Sequence, residues 1–274
     1  MRPFDYARPA DLDAAIDLLA RHGSDARVLA GGTDLIIRLR DGTYAPSLVV
    51  DVKRIPEMAP RIERVDSVVE VGAGTTMTDI VESALMQRLF PALVEAARFV
   101  GSVQIRNRAT LVGNQCNASP AADTAPPLLV YGAVLEIFGP AGRREVALDD
   151  FFIQSGVTAL AEGELVTAIR LPIPSERTGS AFQRRTRRRG HDLASVTLAV
   201  ALDERGGTRL AYGSLGPRPV LFTDETGDLP LETWLLAARP SSTSMRAGPD
   251  YRLAMLRVLA TRALDTARDR LAAA

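Results

Sequence analysis

The sequence predicts an α+β protein of two or three compact units, and three observations carry that prediction. Helix-spaced and strand-like apolar runs alternate through the first 174 residues, an antiparallel hairpin pattern follows over residues 195–212, and a long helical pattern closes the chain. A length of 274 residues with 46% hydrophobic content is enough to bury the cores this architecture needs.

The elements follow in order. Leu12, Ala15, Ile16 and Leu19 recur at helical spacing, with Asp11 at the N-terminal end and Gly23 as the stop. Arg27-Val28-Leu29-Ala30 reads as a short buried strand running into Gly31-Gly32-Thr33-Asp34, after which Leu35, Ile36 and Leu39 resume a helical pattern. Residues 47–52 are the next strand, and Pro56 and Pro60 punctuate the end of a first α/β unit. A strand over 68–72 leads to Gly74-Thr75-Thr76, one helix is expected over 77–89, and Pro91 opens another through Phe99. Residues 101–123, rich in Gly, Asn and Ser, read as a long ordered loop of the kind that carries function. Gly139-Pro140-Ala141-Gly142 between two apolar runs is a hairpin signal, and a strand over 165–171 closes the second unit. Strands over 195–202 and 208–212 flank Arg205-Gly206-Gly207, and residues 251–271 form the last helix. Residues 222–241 are assigned nothing.

Composition removes much chemistry. Thirty-three Lys and Arg balance 33 Asp and Glu, so no global field favours nucleic acid or an anionic membrane surface. Residues 1–6 show no charged leader ahead of an apolar stretch, and no run of about 18 apolar residues occurs, so a soluble, cytoplasmic protein is expected. Cys116 is the only cysteine, which excludes an internal disulfide and any cysteine-ligated iron–sulfur cluster within one chain. With only His22 and His191, a histidine metal site or a Ser-His-Asp triad is poorly supplied.

Two glycine loops remain, residues 30–34 and 110–114. Converging backbone N–H groups bind a diphosphate, and residues without a bulky Cβ permit that convergence. Thr33 and Thr110 add hydroxyls, and helix N-termini add favourable dipoles. Each loop alone is better explained as a tight turn. Their coexistence with Asn114, Asn117 and Asp123, whose carboxylate suits a ribose diol, points to a nucleotide cofactor.

Ala30-Gly31-Gly32-Thr33 resembles the first FAD motif of the medium, flavin-binding subunits of molybdenum hydroxylases, the xanthine dehydrogenase and carbon monoxide dehydrogenase flavoprotein family, and residues 101–114 resemble the second. The likeness continues through Asn117, Ser119-Pro120-Ala121 and Asp123-Thr124, and includes Asp51-Val52 with Ile55-Pro56-Glu57, residues 72–76, and Glu164-Leu165-Val166. Ser244-Met245-Arg246-Ala247, Tyr251-Arg252 and Arg262-Ala263-Leu264 are similar to the family's C-terminal domain, so the likeness covers nearly the whole chain.

The resemblance implies a vanillyl-alcohol-oxidase/PCMH-type FAD-binding fold: subdomains over 1–54 and 55–174, then an antiparallel sheet-and-helix domain over 175–274. It implies that Leu29, Ala30, Gly31, Gly32, Thr33, Asp34 and Leu35, with Ala109, Thr110, Gly113, Asn114 and Asn117, hold FAD, chiefly by its diphosphate. Asp123 would face the ribose or ribityl part, Cys116 and Val166 the ring, and Arg184, where the family commonly has lysine, would set a permanent positive charge near it. Implied partners are a small 2Fe–2S subunit and a large molybdopterin-cofactor subunit, in a heterotrimer or a dimer of heterotrimers, with FAD passing electrons to NAD, a quinone, a carrier protein or oxygen.

Departures are Val112-Gly113 where the family commonly has two glycines, and a missing tyrosine over 190–193. Residues 72–77 begin like a dinucleotide fingerprint, but Met77 replaces the third glycine and a structural turn is the better reading. Cys116 reads as a small buried hydrophobe, His191 as an exposed residue rather than a proton donor, and the arginines over 184–189 as solvated or salt-bridged. Two alternatives remain: a self-contained FAD oxidoreductase, disfavoured by scarce His and aromatics, and a flavin-free assembly subunit, disfavoured by the intact glycine loops.

Overall fold

The computed structural model describes every residue except 189, 191, 228, 229, 243, 245 and 274. Strands β1 (Asp5–Ala7), β2 (Ala26–Leu29) and β3 (Leu48–Asp51) form a parallel sheet in the order β1-β3-β2, with α1 (Leu12–His22) and α2 (Leu35–Asp41) as the connections. Helix α1 begins where Asp11 Oδ1 accepts the Ala14 N–H (2.8 Å), ends at Gly23 with φ +50°, and buries the four apolar positions its spacing marked. Because all three strands point the same way, the 30–34 loop leaves the C-terminal edge of the sheet, where open parallel sheets hold ligands.

The next unit contains β4 (Ile62–Val65), β5 (Val68–Gly72), α3 (Met77–Glu82), α4 (Ala84–Leu89), α5 (Pro91–Arg98), α6 (Val103–Arg106), α7 (Leu111–Cys116) and α8 (Ala125–Val130). It continues through β6 (Val134–Gly139), β7 (Gly142–Ala147), α9 (Leu148–Phe151), the short ribbon of β8 (Phe152–Gln154) and β9 (Val157–Thr158), and β10 (Leu165–Pro172). Its five-stranded sheet runs β4-β5-β10-β6-β7 and is antiparallel throughout. The single helix expected over 77–89 is broken in two, because Ser83 turns extended and its hydroxyl accepts the Met86 N–H to start α4. The stretch expected to be one long loop holds α6 and α7, each started by a hydroxyl: Ser102 accepts from Ile105, and Thr110 from Gly113. The turn over 72–76 is structural, ending in a capping box between Thr76 and Asp79.

A meander of β11 (Thr178–Arg185), β12 (Val196–Asp203), β13 (Thr208–Gly213) and β14 (Val220–Asp224) follows, then α10 (Leu231–Ala237) and α11 (Pro249–Ala273). The described residues of 222–241 thus include the end of β14 and the helix α10, whose Trp234 stacks on Phe222. One face of the meander, with Val196, Leu198 and Val200, packs under α11; on the other, Ala199, Ala201 and Ala211 join the large core of the first two units. Glu95 fastens that seam by accepting the Phe182 N–H (2.9 Å) and pairing with Arg270. No helix among the described residues is long and apolar enough to cross a membrane.

Candidate functional site

The two glycine loops touch. A Cβ on Gly31 would lie 2.0 Å from the Arg108 carbonyl oxygen and 3.2 Å from Ala109 Cα, so the backbones meet only because residue 31 has no side chain. Gly32 follows at φ +78°, and its carbonyl accepts the Ile36 N–H to start α2. Among the described residues, nothing accepts the N–H groups of Gly31, Gly32, Thr33 and Asp34, which leaves a cluster of donors at the strand end. Across from them, Thr110 Oγ1 accepts the Gly113 N–H (3.0 Å), while the Leu111 and Met77 N–H groups bond Thr75 O and Ala109 O and fasten α7 to the 72–76 turn.

A cleft of about 640 Å³ opens between the loops, walled by residues from 30–35, 109–117, 119–123 and 164–166 and reached by Asp192 and Leu193 of the loop between β11 and β12. A cavity of about 200 Å³, between Lys53, Pro60, Gly74 and Arg108, adjoins it and shares Ala30, Gly31 and Thr110. All the predicted site residues line the larger cleft except Leu29 and Arg184. Leu29 lies behind it: its carbonyl is taken by the Val52 N–H, and its side chain packs where a Gly32 Cβ would be.

Arg184 stands one bond behind the wall. Its Nη1 donates to Asp123 Oδ2 (2.8 Å), its Nη2 to the Asp192 carbonyl (2.6 Å), and its guanidinium lies over the Phe99 ring. Both partners are nearly buried, with side chains 9% and 11% exposed. Burial pushes the Asp123 carboxyl up from 3.8 to about 7 against the pull of Arg184, and its Oδ1 is buried with no hydrogen-bond partner. Burial also pushes the Cys116 thiol up to about 12, which keeps it protonated at neutral pH.

The family described as FAD binding domain in molybdopterin dehydrogenase matches residues 2–174. The chain belongs to that family. It is 31% identical over 280 residues to the carbon monoxide dehydrogenase medium chain of Hydrogenophaga pseudoflava, with 96% of each chain covered. It is 33% identical over 283 residues to the xanthine dehydrogenase FAD-binding subunit of Escherichia coli O157:H7, covering 96% of this chain and 97% of that one. A solved structure of the Hydrogenophaga pseudoflava carbon monoxide dehydrogenase, in a form lacking the Mo-pyranopterin moiety of its molybdenum cofactor, superposes with a TM-score of 0.90 at 31% identity, over 98% of this chain and 99% of that one.

For a member of this FAD-binding family the cleft has fitting chemistry. Four unpaired N–H groups suit diphosphate oxygens, the orphaned Asp123 Oδ1 suits a sugar hydroxyl, and Ala109, Cys116 and Val166 give an apolar wall for a ring. Among the described residues no group of three His, Cys, Asp or Glu side chains is placed to hold a metal ion. Sequence reasoning missed Arg27, Arg38 and Tyr44, which line the cleft with both guanidinium groups over the tyrosine ring, at 4.7 and 5.0 Å. It also missed Phe99, whose place two residues before the 101–114 motif was the available signal. Arg187 and Arg188 are salt-bridged to Asp192, as the solvated reading of that run expected, while His191 and Arg189 lie outside the described residues.

Proposed function

We propose that this chain holds FAD in the cleft and serves as the electron-transfer subunit of a cytoplasmic molybdenum hydroxylase, between a small 2Fe–2S subunit and an external acceptor, with substrate hydroxylation in a large molybdopterin subunit. The observation that carries the reading is the pair of glycine loops in backbone contact, with unpaired N–H donors on residues that line the cleft. Bound FAD supplies exchange of one or two electrons, which lets a one-electron cluster and a two-electron acceptor communicate. The protein's part is to bind, orient and exclude water. The 31–34 amides and the Asn114 side chain hold the anionic middle of the dinucleotide, and Asp123 takes a hydroxyl proton donor on its free Oδ1. Cys116, neutral and unreactive, and Val166 keep the ring environment dry. Arg184 fixes the position of Asp123 and places a permanent positive charge behind the wall. Residues 1–54, 55–174 and 175–274 are the proposed domains, the last completing the cleft through Arg184, Asp192 and Leu193.

The test is an absorption spectrum of the complex co-purified with its iron–sulfur and molybdenum subunits, before and after adding a panel of aldehydes and N-heterocycles. Flavin bands on this chain that bleach with substrate only when both partners are present are the expected result. Bleaching in the isolated chain would make it a self-contained oxidoreductase, and a folded chain that neither retains nor regains FAD would overturn the assignment.

A further inference from the structure

Asn114 lines the cleft, and the orientation of its side-chain amide is set by two residues behind it. Gln115 is completely buried, and its Nε2 lies 3.4 Å from the Leu111 carbonyl, a group that only accepts. Gln115 therefore presents its donor end to this corner. The same Nε2 donates to Thr124 Oγ1 (2.8 Å), and Thr124, accepting there, sends its own proton to Asn114 Oδ1 (2.7 Å). Gln115 Nε2 also approaches Asn114 Oδ1 at 3.3 Å. The Asn114 oxygen is thus held from two sides, and no group among the described residues accepts from its Nδ2. Flipping Asn114 would set its N–H₂ against the Gln115 N–H₂ and take from the Thr124 proton its acceptor. Flipping Gln115 instead would set its Oε1 against the Leu111 carbonyl and the Asn114 oxygen.

Two features show that the arrangement is more than packing. Gln115 Oε1 is buried without a partner, a burden an apolar residue of similar size would not carry. Thr124 stands at the head of α8 yet caps nothing, so its hydroxyl is committed to the relay. We propose that Gln115 and Thr124 are positioning residues that lock the Asn114 amide with its N–H₂ facing the cleft, as a donor to an acceptor oxygen of the flavin dinucleotide. The proposal rests on the FAD reading above. An unlocked amide would present its oxygen to that acceptor as readily as its donor, and half of its orientations would repel the ligand.

The experiment measures FAD affinity on the deflavinated full chain by quenching of flavin fluorescence, with thermal unfolding of the flavin-free protein alongside. Thr124→Val keeps the shape and removes the hydroxyl, whereas Thr124→Ser keeps the hydroxyl and removes a methyl group. The relay requires Thr124→Val to weaken FAD about tenfold and Thr124→Ser to stay within about twofold of wild type. A packing role gives the opposite order. In an Asn114→Ala background Thr124→Val adds nothing further if the effect passes through Asn114, and an undiminished effect there overturns the proposal. If Thr124→Val does not fold, Gln115→Met tests the same link. Wild-type chain that binds no FAD sinks the reading and the proposal together; wild type that binds, with Thr124→Val binding equally well, sinks the proposal alone.

Discussion

Gly31→Ala is the substitution whose consequence the geometry sets most directly. The added methyl carbon would sit 2.0 Å from the Arg108 carbonyl oxygen and 2.8 Å from its carbonyl carbon, and both belong to backbone that cannot rotate aside. The 30–34 and 108–110 segments must part by at least about 1 Å, since real Cβ contacts essentially never fall under 3.0 Å. Overpacking of this kind costs about 1–3 kcal/mol of stability. Its larger effect falls on the ligand, because the N–H donors of residues 31–34 move with the loop while the opposite wall stays. A misplacement of about 1 Å is worth about 100-fold in a positioned interaction, or about 2.8 kcal/mol. Fluorescence titration of deflavinated protein with FAD measures it, and Gly42→Ala is the control. Gly42 has a positive φ, +82°, but a Cβ there meets nothing within 4 Å. That variant is expected to lose about 1 kcal/mol of stability with FAD affinity unchanged. Wild-type FAD affinity in Gly31→Ala would refute the claim that these two loops hold the cofactor between them.

Three further outcomes follow from the charges. Asp123 binds its proton more tightly folded, at about 7, than unfolded, near 3.8, so its contribution to stability is full below the lower value and lost as pH rises through the higher. Denaturant unfolding between about pH 4 and 7.5 should therefore show Asp123→Asn losing less stability than wild type, by at most about 4 kcal/mol, and parallel curves would contradict this. Arg184→Met strands a buried carboxylate, so a destabilisation of about 3–5 kcal/mol is expected at pH 8, shrinking toward pH 5 as Asp123 takes up a proton; equal losses at both pH values would tell against the pair. With its thiol pushed from 9.0 to about 12, Cys116 should be alkylated by iodoacetamide at pH 8 about 1000-fold more slowly in the native protein than after unfolding, although it lines the cleft; similar rates would mean the thiol is not desolvated.

The parts of this fold legible in the sequence are those fixed by local chemistry. Helix α1 was readable because its cap, apolar spacing and terminal glycine lie within thirteen residues, from Asp11 to Gly23, and the hairpin of β6 and β7 because its turn, with Gly142 at φ +94°, needs a residue that tolerates that φ. The break at Ser83 was hidden inside a continuous apolar period, and α6 and α7, of four and six residues, are too short to show a period at all. The antiparallel order of the second sheet could not be read because β10 inserts between β5 and β6, and its partner β5 ends at Gly72, far back along the chain from Leu165.

The same division explains the site. The glycine loops and Asn114, Asn117 and Asp123 lie on two short stretches, and their residue types announce the chemistry. What holds those stretches in place comes from far along the chain. Arg184 reaches Asp123 from 61 residues away, and the Ser214 N–H bonds the Pro120 carbonyl at the start of the Asp123 turn (2.7 Å). Arg252, buried in α11, donates to the Ser214 and Leu215 carbonyls and to Ser241. The segment from β11 to α11 closes one end of the cleft through Asp192 and Leu193 and sets the Arg184 guanidinium against the carboxylate there. Removing it would leave the 110–123 segment without its outer support, and the cleft would lose the Arg184 counter-charge that allows Asp123 to ionise near neutral pH.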